Sequence, residues 1–202
     1  MINKPKYKLA RRLGPAIFDK TQTQKFALRE GRRKETRERP RAKSDFALQM
    51  LEKQKARYSY GIGERQFAKY VAEALAKKAS KPEEVLYERL ETRLDNVAYR
   101  MKLAPTRQAA RQMVSHGHLT INDVRVSIPS CNVKVGDKVK IRQASTKKII
   151  FENIILNLKE ATLPSWLSFD AEKKAGEVLG KPKLVKSELI FDIAAILEFY
   201  RR

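Results

Sequence analysis

Cysteine is almost missing from this chain: Cys131 stands alone among 202 residues. An internal disulfide is therefore impossible, and so is a zinc site built only from cysteines. Histidine is nearly as scarce, with two residues, His116 and His118. No stretch approaches the roughly 18 consecutive apolar residues of a membrane-spanning helix. The first residues, Met1-Ile2-Asn3-Lys4-Pro5-Lys6, lack the apolar core of a secretory signal. A soluble, cytoplasmic chain is expected, with no membrane partner. Acidic residues are the other deficit: 23 Asp and Glu face 44 Lys and Arg, a formal charge of +21. Like charge at this density opposes compaction, and a polyanion relieves it. With 42% hydrophobic residues a packed core is still available.

The positive charge is concentrated. Residues 1–60 hold 18 basic and 6 acidic side chains, while residues 61–91 hold 6 of each. Residues 92–150 hold 12 and 3, and residues 151–202 hold 8 of each. Two basic blocks separated by neutral segments point to two anion-facing surfaces on one scaffold. The first block carries Lys6, Lys8, Arg11 and Arg12, then a run from Arg32 to Lys43. Its few hydrophobes (Tyr7, Leu13, Ile17, Phe18, Phe26, Leu28) look too sparse for a core. Residues 1–43 are therefore expected to form a basic arm that orders on its partner, and removing residues 1–40 should leave the remainder folded.

Helical periodicity begins at Ser44, a good N-cap, with Asp45 in the first turn. Gly61 and Gly63 interrupt it. Phe67, Tyr70, Val71, Ala74 and Leu75 then form one stripe. Ser80-Lys81-Pro82-Glu83 has capping-box character, and a helix through Val85, Leu86, Leu90, Leu94 and Val97 should follow. Thr106 caps a short helix that Gly117 ends. Beyond it, Leu119–Ile121, Val124–Val126, Val133–Val135 and Val139–Ile141 alternate like short strands, separated by turn residues such as Asn122-Asp123. Another helix is expected over 148–158, two further strands over Trp166–Asp170 and Gly176–Leu179, and a buried last helix over Leu189–Tyr200. The fold class is α+β.

Function concentrates around Arg93-Leu94-Asp95-Asn96-Val97, Thr106-Arg107-Gln108-Ala109-Ala110-Arg111-Gln112-Met113-Val114 and Gly117-His118-Leu119-Thr120-Ile121-Asn122. Arg107 and Arg111 lie one turn apart, so both guanidinium groups leave the same helix face. Ala110, Met113 and Val114 pack the other. Thr106 leaves backbone N–H groups near the helix start, which attract phosphate. Arg93, Arg125, Lys134 and His116 can extend that surface. Guanidinium forks pair with phosphate bidentately, and duplex RNA is recognised largely by backbone shape. Lys43, Lys53, Lys55, Arg57 and Tyr58 form a second candidate group, with Tyr58 also available for stacking.

These motifs resemble the S4-type RNA-binding module, two helices followed by a small twisted sheet. The likeness extends outside it, through Lys43-Ser44-Asp45-Phe46, Glu52–Tyr58, Tyr60-Gly61, Glu64–Phe67 and Pro164–Leu167. Together these resemble the bacterial-type small-subunit ribosomal protein S4 family in its zinc-free form, since the arm has no cysteine. The resemblance implies a discontinuous helical domain over 44–91, completed by 187–202, with the RNA-binding module and its extra strands inserted over 92–186. It implies a structural protein of the small ribosomal subunit that binds rRNA early, at a multi-helix junction in the 5′ domain. It also implies contacts with ribosomal protein S5, a place near the mRNA entry channel and a part in decoding accuracy. No cofactor, metal, catalytic residue or homo-oligomer is implied.

Other readings are weaker. An RNA-modifying enzyme that uses the module as an adaptor would need a separate catalytic domain of some size, for which the chain has little room. A DNA-binding protein with two helices set as in a helix-turn-helix is the other alternative. His116 and His118 lack further ligands, Cys131 lacks a base, and Asp95 reads as a structural hydrogen-bonding residue. Gly61-Ile62-Gly63 is too short for a nucleotide fingerprint and follows no strand. Trp166, Phe191, Phe199 and Tyr200 read as core. Replacing Arg107 and Arg111 together by Ala should weaken RNA binding by several kcal/mol at most, on a scale of about 1.5–3 kcal/mol per charged hydrogen bond, and leave the fold intact.

Overall fold

The computed structural model describes residues 5–35, 44–77, 81–146, 151, 162–170 and 173–201. The expected cap at Ser80, almost all of the helix expected over 148–158, and Lys43 lie outside them. The chain divides into two compact units, Met1–Glu83 with Val185–Arg202, and Glu84–Leu184. The first unit is thus built from both ends of the chain, with the second inserted. Among the described residues no helix is long and apolar enough to cross a membrane.

In the first unit, helix α3 (Asp45–Tyr60) starts at Ser44, whose hydroxyl accepts from the Ala47 amide at 3.4 Å. It ends at Gly61, in the left-handed conformation that glycine adopts without a Cβ clash. Helix α4 (Glu64–Ala76) buries Phe67, Tyr70, Val71 and Ala74, the stripe expected from periodicity. The last helix, α8 (Ile193–Arg201), packs mainly on α3 and also on α4. It buries Ile193, Ile196 and Leu197 but leaves Glu198 and Arg201 exposed, so it is amphipathic rather than wrapped on all sides. Phe46 stacks on Phe199 at 5.3 Å, and Tyr60 meets Phe191 edge-on at 6.2 Å.

The N-terminal segment is a correction. It folds into α1 (Lys6–Leu13), two 3-10 turns and α2 (Gln24–Glu35). Ala10, Leu13, Thr21 and Phe26 are buried. Tyr7 stacks on Phe26 at 6.0 Å, and the Thr21 hydroxyl reaches the Pro15 and Phe18 carbonyls at 2.7 and 2.8 Å. Both α1 and Pro15–Ile17 pack against α3. The few hydrophobes of the segment need no core of their own, because α3 supplies the other wall.

The second unit contains all but the first two residues of α5 (Pro82–Glu91), together with α6 (Leu94–Arg100), α7 (Arg107–Ser115) and a five-stranded antiparallel sheet ordered β2-β1-β3-β5-β4. The strands are β1 (Leu119–Ile121), β2 (Val124–Val126), β3 (Lys138–Ile141), β4 (Leu167–Asp170) and β5 (Ala175–Val178). One core joins Leu94, Val97, Ala110, Met113 and Val114 of the helices to Leu119, Val139, Ile141, Leu167 and Val178 of the sheet, with Phe151 and Trp166. Cys131 packs against its edge, half-buried.

Two local readings change. The helix expected to run through Val97 breaks at Thr92-Arg93. There the backbone turns to pair with residues 131–133: Leu94 N–H donates to Cys131 at 2.9 Å, and Val133 N–H donates to Thr92 at 2.9 Å. Val133–Val135 is consequently not a strand. Val133 is held by the helix junction, and Lys134 opens a turn closed by Asp137, whose carboxylate accepts the Lys134 amide at 2.8 Å. The β1–β2 hairpin has Asn122 and Asp123 both at positive φ, 49° and 68°. Asn122 tolerates this with help: its side chain accepts from the Lys138 amide at 2.9 Å and donates to Asp137 at 2.8 Å.

Leu13→Ala should lower the stability of the first unit by about 2–3 kcal/mol, the low end for a buried Leu truncation. Removing residues 1–40 should destabilise it further, contrary to the behaviour of a detachable arm. Urea unfolding followed by circular dichroism checks both, and an unchanged midpoint for Leu13→Ala would contradict this packing.

Candidate nucleic-acid interface

The α6–α7 pair is joined by a polar network that the helix break makes possible. Arg93, at the N-cap of α6, curls back on Asp95, with Nε donating to Oδ1 at 3.0 Å and Nη2 to Oδ2 at 2.8 Å. From α7, Arg111 donates Nε and Nη2 to the same Oδ2 at 2.9 and 2.7 Å. One carboxylate thus holds two guanidinium groups, and the cluster keeps a net positive charge. The side chains of Arg93 and Asp95 are each 5% exposed, and that of Arg111 is 19% exposed. Beside them Asn96 accepts from Arg107 Nε at 2.8 Å and donates to the Glu91 carbonyl and carboxylate, each at 3.0 Å. Glu91 receives a fork from Arg100 at 2.8 and 3.0 Å. The Arg107 guanidinium lies 4.6 Å from the centre of the Tyr99 ring. Thr106 caps α7, accepting from Ala109 at 3.1 Å.

The expectation that Arg107 and Arg111 leave one face of α7 and that Arg93 extends their surface is therefore corrected in part. Arg93 is buried, and a buried guanidinium must be paired with a carboxylate. Arg111 is half turned onto the same partner, and Arg107 lies between Asn96 and Tyr99. All three belong to one network on the α6–α7 surface. Asp95 has the structural role expected of it, in a larger circuit than local sequence indicated. Glu91, Asn96, Tyr99 and Arg100 were not singled out. Asn96 sits inside the quoted motif, but its two-sided bonding joins residues 91 and 107, which no local pattern connects.

Around this network are exposed cations. Arg125 on β2 lies over Gly117, where φ is +69° and any Cβ would run into the guanidinium. Glycine at 117 thus gives Arg125 its seat as well as ending α7. Lys134 and Lys138 are exposed, and Arg142 is half-buried. Lys134 lies in the turn before β3 rather than on a strand. Lys140 is paired with Asp123 at 2.8 Å. His116 is exposed at the C-cap of α7, and His118 Nδ1 is 2.9 Å from the Ser145 hydroxyl. Among the described residues no group of three or more His, Cys, Asp and Glu could hold a metal ion.

In the first unit, Lys8, Arg11 and Arg12 are exposed on one face of α1, while Lys6 leans toward the Phe18 ring at 5.9 Å. The second candidate group behaves differently. Lys53 is buried, donates to Glu64 at 3.1 Å and lies 4.3 Å from the Phe199 ring centre. Arg57 pairs with Glu64 at 2.7 Å, and Lys55 with Glu52 at 2.6 Å. Tyr58 is half-buried, with Arg57 at 5.9 Å from its ring. Lys53 is corrected from an RNA contact to a core cation that joins α3, α4 and α8. Glu64 also accepts the Tyr200 hydroxyl at 2.6 Å. Partial burial alone would raise the Glu64 pKa, but hydrogen bonds from Tyr200 and Lys53 and the charges of Arg57 and Lys53 outweigh it, so the pKa is lowered. Burial, followed by the bond to Glu64, raises that of the Tyr200 hydroxyl.

Comparison with known proteins matches residues 92–139 to the family model described as S4 domain, and residues 2–91 to that described as ribosomal protein S4/S9 N-terminal domain. The chain is 39% identical over 199 residues to small ribosomal subunit protein uS4 of Christiangramia forsetii, covering 98% of this chain and 97% of that one. It is 40% identical over 202 residues to the uS4 protein of a Roseiflexus species, with the same coverage. Against uS4 of Neisseria meningitidis it is 41% identical over 204 residues, again covering 98% and 97%.

Asp95→Ala should cost about 3–5 kcal/mol, because it leaves a buried guanidinium uncompensated. Arg111→Ala, which leaves the Arg93–Asp95 pair standing, should cost clearly less; equal losses in urea unfolding would refute the shared-carboxylate account. Glu64 has a lowered folded-state pKa, so its contribution is fully present above its ordinary value of 4.5 and is lost as pH falls through the lower folded-state value. Stability measured from pH 6 down to about 3 should fall less steeply in Glu64→Gln than in the parent chain.

Proposed function

The chain belongs to the bacterial-type ribosomal protein S4 family, and from that premise we propose that it is a structural, rRNA-binding constituent of the small ribosomal subunit. The observation that carries this is the near-full-length likeness to uS4 proteins, joined to a +21 charge gathered in two blocks of the chain. Its substrate class is structured RNA, bound and held rather than turned over.

Recognition works through phosphates. In the second unit, the outer edges of Arg107 and Arg111, the α7 start at Thr106, Arg125, Lys134 and His116 form the contact surface, with Lys138 beside them. Arg93 supports that surface from below. In the first unit, Lys6, Lys8, Arg11 and Arg12 on α1 contact RNA together with Lys43. Lys55, Arg57 and Tyr58 form the edge of that group, with Lys53 as its buried support. Two cationic surfaces can neutralise phosphates from different RNA segments, which suits a multi-helix junction in the 5′ domain of small-subunit rRNA. Early binding there would nucleate assembly of the subunit body. The same placement brings the protein beside ribosomal protein S5 and the mRNA entry channel, and so into decoding accuracy. The protein acts in the cytoplasm, within the subunit.

Each phosphate neutralised releases a counterion, so affinity for a 5′-domain rRNA transcript should fall linearly in log–log form with salt, with a slope of about −0.7 to −0.9 per contact. Filter binding between about 50 and 200 mM salt should show a loss of at least a thousandfold if six or more phosphates are engaged. Affinity that stays flat over that range would rule out phosphate clamping.

A further inference from the structure

On the premise of that RNA-binding role, we propose that Asp95 and Asn96 are positioning residues that set Arg107 and Arg111 as a pre-formed pair of phosphate-binding prongs. The juxtaposition is specific. Two consecutive residues of α6 each take the Nε of a different arginine on α7: Asn96 takes Arg107 at 2.8 Å and Asp95 takes Arg111 at 2.9 Å. The two arginines stand one helical turn apart, so two adjacent anchors match two adjacent prongs. Each anchor is itself held. Asp95 is gripped by Arg93, and Asn96 by Glu91, which Arg100 holds in turn. The Tyr99 ring lies against Arg107 as well.

An arginine bound through Nε has its guanidinium plane fixed, so ordering it on a phosphate costs less conformational freedom. The electrostatic effect of Asp95 has the opposite sign: a carboxylate beside Arg111 weakens its attraction for phosphate. Arg93 offsets this by occupying the other side of that carboxylate. Arg93 thereby acts in recognition without touching RNA.

The opposed signs make the proposal testable. Affinity for a 5′-domain rRNA transcript is measured at fixed salt for Asp95→Asn, Arg111→Ala and the double variant, and likewise for Asn96→Ala, Arg107→Ala and their double variant. Asp95→Asn should weaken binding about tenfold, the scale of one charge-assisted hydrogen bond. In each pair the second substitution should add little to the first, because a prong without its anchor no longer contributes. Arg125→Ala, outside the network, should retain its full effect in the Asp95→Asn background. Urea unfolding of each variant identifies any loss due to unfolding, and if Asp95→Asn does not fold, the Asn96 and Arg107 set decides alone. Tighter binding by Asp95→Asn, or additive losses in both pairs, would overturn the positioning role and leave RNA binding by this face intact. Wild-type affinity in both Arg107→Ala and Arg111→Ala would instead remove the RNA-binding face itself.

Discussion

A single buried carboxylate organises the α6–α7 surface. Asp95 accepts from Arg93 at the helix break and from Arg111 on the neighbouring helix, and both Asp95 and Arg93 are buried. Burying a guanidinium is costly unless it is paired, and burying a carboxylate is costly for the same reason. Two cations on one anion settle both costs and leave a positive remainder. The break between α5 and α6 makes this arrangement possible. Arg93 can turn back onto Asp95 only because the chain leaves the helix at Thr92 to pair with residues 131–133.

Placement of the acids explains how so cationic a chain folds. Glu64 draws together Lys53, Arg57 and the Tyr200 hydroxyl, and joins α8 to α3 and α4 inside the first unit. Glu91 plays a comparable part for Arg100 and Asn96 in the second. Acidic residues thus neutralise the cations nearest each core, and the surplus positive charge is left on outer faces such as α1 and the β2 strand. Repulsion within those faces persists until a polyanion meets them. A basic residue of this chain can therefore lie exposed on an outer face or be buried against a carboxylate, and its count in the sequence does not say which.

Much of the fold was legible. Ser44, Gly61, Thr106 and Gly117 mark helix ends through local hydrogen bonding and backbone freedom, and the Phe67–Ala74 stripe repeats with the helical period. Asn122-Asp123 announced a two-residue hairpin. Legibility failed where a segment's partner is remote. Leu13 and Ile17 looked too sparse for a core because α3, against which their segments pack, lies beyond residue 44. Val133–Val135 alternates like a strand, yet its backbone partner is Thr92.

The α+β class, the two basic blocks and the motif around Arg107 and Arg111 came from composition, periodicity and short spacings, which persist in an unfolded chain. The family and the inserted module came from the resemblance that those motifs carry. Which cations face outward came only with folding. Arg93 and Lys53 resemble Arg125 and Lys8 as letters, but the first two are buried against carboxylates, Asp95 at the helix break and Glu64 on the next helix, while the latter two are exposed. Burial and pairing depend on distances between segments far apart in the chain, and those distances exist only once the helices and the sheet have packed.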